Sequence, residues 1–227
     1  MKTNIVVEYV CSGNHGRSPI AAAVARQHVR KLLAEDYLEI QSSGTCVDKI
    51  KSSAFPTSLL LPCIEKALTS GLFTEFNDAR IMKLARETLD TKGADEIALK
   101  TIIARMADFE ECYRNIVISE LIHPETSLGS VKSHIPRQLV VSDDAGCILV
   151  MGARNKSEVC EIYAITNPAP LIATIGEFAG HPDIQIPDVF GGTLQEYRDM
   201  AETLKPLVTI SVEKALNMRK TKSGILI

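Results

Sequence analysis

Near its start the chain has a stretch at residues 4–10, rich in β-branched side chains, that ends abruptly in a cluster of Ser, Gly and Asn. That pattern predicts a buried strand opening into a loop. A helix is expected next, over 18–34. Pro19 stands at its start, where a missing N–H costs nothing, alanines fill the following turns, and Arg30 and Lys31 lie towards the end. Alternation at 37–42 predicts a second strand, which closes a strand, helix, strand unit and implies a parallel sheet. Strand patterns return at 147–151 and 171–175, on either side of a helical stretch around 156–162, and a long helix fits 194–218. Residues 59–133 carry helical periodicity instead, with helices expected at 79–89 and 94–106 and Gly93 as the break. No low-complexity linker or sequence repeat sets that stretch apart. The whole chain, 1–227, therefore reads as one α/β domain with a helical insertion.

Composition narrows what such a domain does. At 227 residues and 45% hydrophobic content the chain can bury a sizeable core. A formal net charge of -3 supplies no global basic field, so nucleic acid is not an expected partner. Apolar runs, such as 5–7 and 147–151, are far short of the ~18 residues that span a bilayer. With no signal-peptide pattern at the N-terminus, a cytoplasmic protein without a membrane partner is expected. The six cysteines, at 11, 46, 63, 112, 147 and 160, contain no C-x-x-C. Neither a disulfide framework nor a metal site is indicated, and no cofactor is called for.

Candidate chemistry concentrates in Val10-Cys11-Ser12-Gly13-Asn14-His15-Gly16-Arg17-Ser18-Pro19, between the first strand and the first helix. A loop entering a helix N-terminus presents unpaired N–H groups and the positive end of the helix dipole, which together form an anion site. Gly13 and Gly16 permit the tight turn that makes successive N–H groups converge, so residues 12–18 are the expected phosphate-binding set. The donors that would hold phosphate oxygens would also stabilise a thiolate, which makes Cys11 the expected nucleophile. Arg17 supplies a planar fork able to follow the phosphoryl group as it moves, and Ser18 a hydroxyl for the sulfur. The bare spacing of Cys11 and Arg17 arises easily by chance in a chain with six cysteines. Its place after an apolar strand and before Ser-Pro and a helix is what gives it weight.

This segment resembles the phosphate-loop signature of the low-molecular-weight protein tyrosine phosphatases. Ser42-Ser43-Gly44-Thr45 is similar to the segment after that family's second strand, 148–151 resembles its third strand, and Ile186-Pro187-Asp188-Val189-Phe190-Gly191-Gly192 with Tyr197 resembles its acid loop in the form closest to the arginine-phosphatase branch. The resemblance covers about residues 4–70 and 134–218. It implies a four-stranded parallel sheet of order 2-1-3-4 with helices on both faces and Cys11 at the carboxyl end of the first strand. It implies hydrolysis of a phosphorylated protein side chain or small phosphate ester through a cysteinyl-phosphate. Asp188 is the implied general acid and base, Ser42 supports the loop through Asn14, and His15 and Phe190 stand at the substrate mouth. Asp183, five residues before Asp188, is the rival acid.

Three departures stand out. Val189 follows the acid where the family has proline, which leaves that loop less rigid. Gly16 stands where many members carry a second cysteine able to form a disulfide with the nucleophile, and nothing in the sequence brings another cysteine near Cys11. His15 replaces an apolar residue or a threonine. Of two segments similar to the one before the family's third strand, 77–80 and 134–139, the second fits better and leaves 72–133 as the insertion, a surface for a lid, a second copy or a partner. Two alternatives stay open. An arsenate reductase would use the same loop but needs a resolving thiol where Met151 and Gly152 end the third strand. A phosphate-binding interaction protein would keep the loop and lose turnover.

Overall fold

Ile5–Cys11 forms β1, and its two neighbours are Leu38–Gly44 (β2) and Ala145–Val150 (β3); Leu171–Thr174 (β4) completes the sheet beside β3. All pairings are parallel and the order is β2-β1-β3-β4, as the sequence reading expected. In such a sheet the crossovers leave β1 towards β2 on one side and β3 towards the other, which opens a crevice at the carboxyl ends of the central strands. Cys11, the last residue of β1, stands at that crevice, in register with Gly44 of β2. The computed structural model describes residues 4–52, 56–92, 96–122, 134–142, 145–164 and 170–223.

Strand alternation sorts the core. Val7, Tyr9, Cys147, Leu149 and Met151 bury on one face of the sheet, under Arg17–Lys31 (α1), Ile175–Ala179 (α7) and Leu194–Ser223 (α8). Val10, Ile148 and Val150 bury on the other, with Leu139, Val159 and Tyr163. Val159 belongs to Ala153–Ile162 (α6). Because both faces are covered, the strands read as nearly continuous apolar runs. That is why β1 and β3 were legible in the sequence.

Between β2 and β3 the chain is helical: Val47–Lys51 (α2), Thr57–Thr69 (α3), Glu75–Thr91 (α4) and Glu96–Ile122 (α5). α3, α4 and α5 share a core of their own that includes Leu60, Ile64, Phe73, Ala85, Ile102 and Met106. The expected helix at 94–106 is thus the first part of a longer one, because its buried positions continue through Glu110, Arg114 and Val117. Gly93 and Ala94, as well as residues 123–133 of the expected insertion, lie outside the described residues. α5 also packs against α1 and α8, which ties the extra helices to the sheet domain.

After the helices, residues 134–142 run back along the carboxyl end of β2. Gly44 N donates to Arg137 O at 2.9 Å and Leu139 N to Gly44 O at 2.8 Å. Arg137 bridges this return to Glu8, a buried carboxylate in the middle of β1, and also donates to Gln41 Oε1 at 3.1 Å. Removing one member of such a pair strands the other charge in an apolar setting. Arg137→Ala is expected to lower stability by about 2 kcal/mol, less than for a fully buried pair because Arg137 is half exposed. Adding Glu8→Gln to that variant should recover part of the loss; urea denaturation of the three variants checks both.

Candidate active site

The loop between β1 and α1 curls so tightly that Asn14 adopts a left-handed backbone, φ 55°. Asn tolerates this better than most residues, and here its side chain fixes it. Asn14 Nδ2 donates to Ser18 Oγ at 3.0 Å, while Asn14 Oδ1 accepts from Arg137 N at 2.9 Å and faces His134 Nε2 at 3.1 Å. Asn14 itself is fully buried. The expected partner Ser42 contributes no side-chain bond to it among the described residues; its carbonyl takes Arg137 Nε at 3.4 Å instead. Loop support therefore comes from Ser18, His134 and Arg137. The 134–139 segment, singled out in the sequence for its likeness to a pre-strand stretch, is what delivers two of the three.

Other elements hold the rest of the curl. Asn155 of α6 donates to Ser12 Oγ at 3.1 Å, and Cys46 N donates to Ser12 O at 2.9 Å. From α5, the buried Arg114 donates to His15 O at 3.0 Å while also meeting Glu111 Oε1 at 3.0 Å. Inside the loop, Cys11 Sγ accepts from Asn14 N at 3.3 Å and lies 3.0 Å from Ser18 Oγ. Ser18 Oγ is also within reach of Ser43 O, at 3.2 Å.

Arg17 opens α1 and is held across the mouth by the loop that follows α7. Its Nη2 donates to Asp188 Oδ2 at 2.6 Å and its Nη1 to Ile186 O at 3.4 Å. The loop reaches the site because Ile186 N bonds Met151 O, at the end of β3, at 3.0 Å. Asp188 is exposed between two buried residues, Ile186 and Val189, and its Oδ1 accepts Phe190 N at 3.2 Å. Val189 thus anchors the loop by burial where a proline ring would have stiffened it. Gly191 turns with φ 79° against Cys63 O, which a Cβ would approach to 2.5 Å. The rival Asp183 is exposed and does not line the cavity.

Cys11, Ser12, Gly13, His15, Gly16, Arg17, Asp188 and Phe190 line one cavity of about 130 Å³. Its remaining walls come from the helices after β2: Ile50, Leu59, Leu60, Cys63, Ile103, Ala107 and Glu110, with Arg154 of α6. His15 is pushed down to about 4 by burial and by the Arg114 charge, so it is neutral at neutral pH. Burial, helped by Asp188, pushes the Cys63 thiol up to about 11. The sequence expectation that no other cysteine comes near Cys11 is corrected here. Cys63 lines the same cavity, because α3 folds over the loop, a contact of long sequence range that no local pattern announces.

Two further residues escaped sequence reasoning, Glu110 and Arg114 of α5. They continue the buried stripe Ala98, Ile102, Met106 at steps of four, so the signal available was a charge on a core-facing helical position. Glu110 Oε1 sits where a side chain at Gly16 would project, 2.5 Å from the position of a Cβ there. Burial raises its carboxyl to about 7, with Asp188 adding to the rise and Tyr197, Arg17 and Arg114 opposing it. The buried Tyr197 hydroxyl faces this carboxylate but falls short of hydrogen-bond geometry with it.

No family model matches this chain, and no curated protein sequence matches it. Solved structures do. The YwlE arginine phosphatase from Geobacillus stearothermophilus superposes with a TM-score of 0.54 at 19% identity, over 98% of this chain and 99% of that one. Vibrio vulnificus Wzb in complex with benzylphosphonate gives 0.54 at 14% identity, over 93% and 99%. A low-molecular-weight protein tyrosine phosphatase from T. tengcongensis gives 0.51 at 18% identity, over 93% and 99%. The architecture is the fold of the low-molecular-weight protein tyrosine phosphatases, as the resemblance implied.

The raised Glu110 carboxyl has a consequence for stability. An unfolded Glu ionises near 4.5, so between 4.5 and about 7 the folded chain keeps a proton that the unfolded chain has lost. Stability from this group is complete at low pH and falls as pH rises through that window. Glu110→Gln, which cannot ionise, is expected to gain on the parent protein by about 3 kcal/mol between pH 4.5 and pH 8.5, read from urea denaturation.

Proposed function

We propose that this protein is a cysteine-dependent phosphatase acting on phosphotyrosine or a related phosphorylated protein side chain. The observation that carries the reading is one juxtaposition: Cys11 Sγ ends β1 inside a tight loop whose Asn14 amide donates to it at 3.3 Å, with Arg17 bound to Asp188 across the mouth at 2.6 Å. The fold shared with tyrosine and arginine phosphatases supports it.

In this reading the phosphoryl oxygens lie on the amides of residues 12–18 and on the Arg17 fork. The Cys11 thiolate attacks phosphorus, the phosphorus–sulfur bond forms, and the ester bond breaks as Asp188 gives its proton to the leaving oxygen or nitrogen. Water then attacks the cysteinyl-phosphate, its proton passes to Asp188, and the phosphorus–sulfur bond breaks to return the thiolate. Ser18, 3.0 Å from the sulfur, stabilises that returning charge. The charge is met by amides and a guanidinium, so the mechanism asks nothing of a metal.

The cavity suits a single flat group. A dry cavity of about 150 Å³ holds benzene, and this one, at about 130 Å³, is walled by Leu59, Leu60, Ile103, Ala107 and Phe190. An arsenate reductase is less well supported, since Met151 is buried and Cys160 lies exposed on α6.

Cys11→Ser is expected to abolish hydrolysis of an aryl phosphate while still binding oxyanion, and chelator should leave the parent enzyme's rate unchanged. Asp188→Ala should cost about 10² to 10⁴ in rate, as loss of a positioned general acid does, whereas Asp183→Ala should stay within a few-fold. The reverse pattern would reassign the acid. A panel of phosphotyrosine, phosphoarginine and phosphoserine peptides, scored by kcat/KM, reads the substrate class.

A further inference from the structure

We propose that Glu110, carried into the site by α5, binds the phosphoryl group as a protonated carboxyl, so that the site takes up one proton with each phosphate dianion it holds. The proposal rests on the phosphatase reading only for the identity of the oxyanion site.

The geometry is a carboxyl at the edge of an anion cradle. Glu110 is nine-tenths buried, lines the cavity with Cys11 and Arg17, and crowds Gly16, a member of the phosphate loop. Among the described residues the donor that faces its oxygens is the Tyr197 hydroxyl, which stands short of hydrogen-bond geometry. A dianion on the loop amides would place further negative charge beside this carboxylate in a space walled largely by apolar side chains. Like charges in such a space are not both ionised. The local cations offset it only in part. Arg17 would divide its fork between the anion and Asp188, and Arg114 is engaged with the His15 carbonyl and Glu111. A proton from solvent therefore joins Glu110 as the anion enters. The resulting O–H donates to a phosphoryl oxygen, and the proton returns to solvent when phosphate leaves.

Every group facing Glu110 is accounted for over pH 6–9. His15, at about 4, and Cys63, at about 11, do not titrate in that range. Tyr197 from α8 is held well above its ordinary value by burial, and Arg17 and Arg114 stay cationic. Cys11 and Asp188 remain, and each is removed by substitution. The carboxyl itself, raised to about 7 by burial, changes state in the middle of the range.

The test measures sulfate binding, because sulfate stays a dianion throughout, by calorimetry from pH 6 to pH 9 in a Cys11→Ser background. Affinity is expected to be flat below pH 7 and to fall about tenfold per pH unit above it, with one proton taken up per anion bound in buffers of different ionisation enthalpy. Adding Glu110→Gln, which keeps a donor without a charge, should flatten the profile and hold affinity at pH 9. Glu110→Ala should be equally flat but several-fold weaker, and Asp188→Asn should leave the slope in place. An unchanged slope in both Glu110 variants would overturn the role of Glu110 while leaving the oxyanion site standing. Sulfate binding at no pH, in protein shown folded by its melting transition, would overturn the phosphatase reading and this proposal with it.

Discussion

The site depends on one backbone constraint, the left-handed turn at Asn14. Convergent amides form only if the chain reverses within a few residues, and a non-glycine residue in that conformation costs on the order of 1 kcal/mol. The carboxamide of Asn14 offsets this by bonding to α1 through Ser18 and to the 134–139 return through His134 and Arg137. Arg137 is in turn fixed on Glu8 of β1. The loop is therefore braced against the sheet and the first helix at once, and Asn155 and Arg114 close the two remaining sides. Donors held in place before the substrate arrives need no reorganisation during the reaction, which is where a phosphoryl-transfer site gains most.

What the sequence made legible follows from which of these contacts are local. The strand, loop and helix from residue 4 to residue 31 lie in one stretch of chain, and their pattern of apolar run, Gly-Asn curl and Ser-Pro start needs no tertiary context. Asp188 was reached through the Phe-Gly-Gly that follows it, and the rival Asp183 falls outside the cavity. The braces were harder to see. Glu110 and Arg114 lie about a hundred residues from the loop they touch, on a helix whose apolar stripe is interrupted after Met106 because its next two buried positions are charged. Read as a stripe of steps of four, α5 runs on without a break. Ser42 differs from its expected role: among the described residues its carbonyl accepts from Arg137 Nε, and its hydroxyl makes no bond to Asn14.

Val189 illustrates how packing substitutes for covalent stiffness. Proline fixes one dihedral, whereas Val189 and Ile186, both buried in the main core, fix the positions of residues on either side of Asp188. The Gly192 N to Val189 O bond at 2.8 Å and the Phe190 N to Asp188 Oδ1 bond then set the turn. Rigidity here is bought with apolar area instead of a ring, so its strength is tied to the integrity of the core beneath α8.

The helices between β2 and β3 change the physics of the site as well as its shape. A phosphate loop open to water works against screened charges, because solvent damps each interaction by its high dielectric constant. α3 and α5 place Leu59, Leu60, Ile103 and Ala107 around this loop, and those side chains displace solvent from the space where charge must move. In that space the attraction of Arg17 for a phosphoryl group strengthens, and so does the repulsion from every carboxylate nearby. A walled site is thus more selective in charge than an open one. It favours a dianion where the surrounding carboxyls are neutral or held by a cation; Asp188 meets Arg17 at 2.6 Å, and burial inclines Glu110 to keep its proton. On the proposed reading, the helices that wall the loop therefore also bias the protonation state of the carboxyls around it.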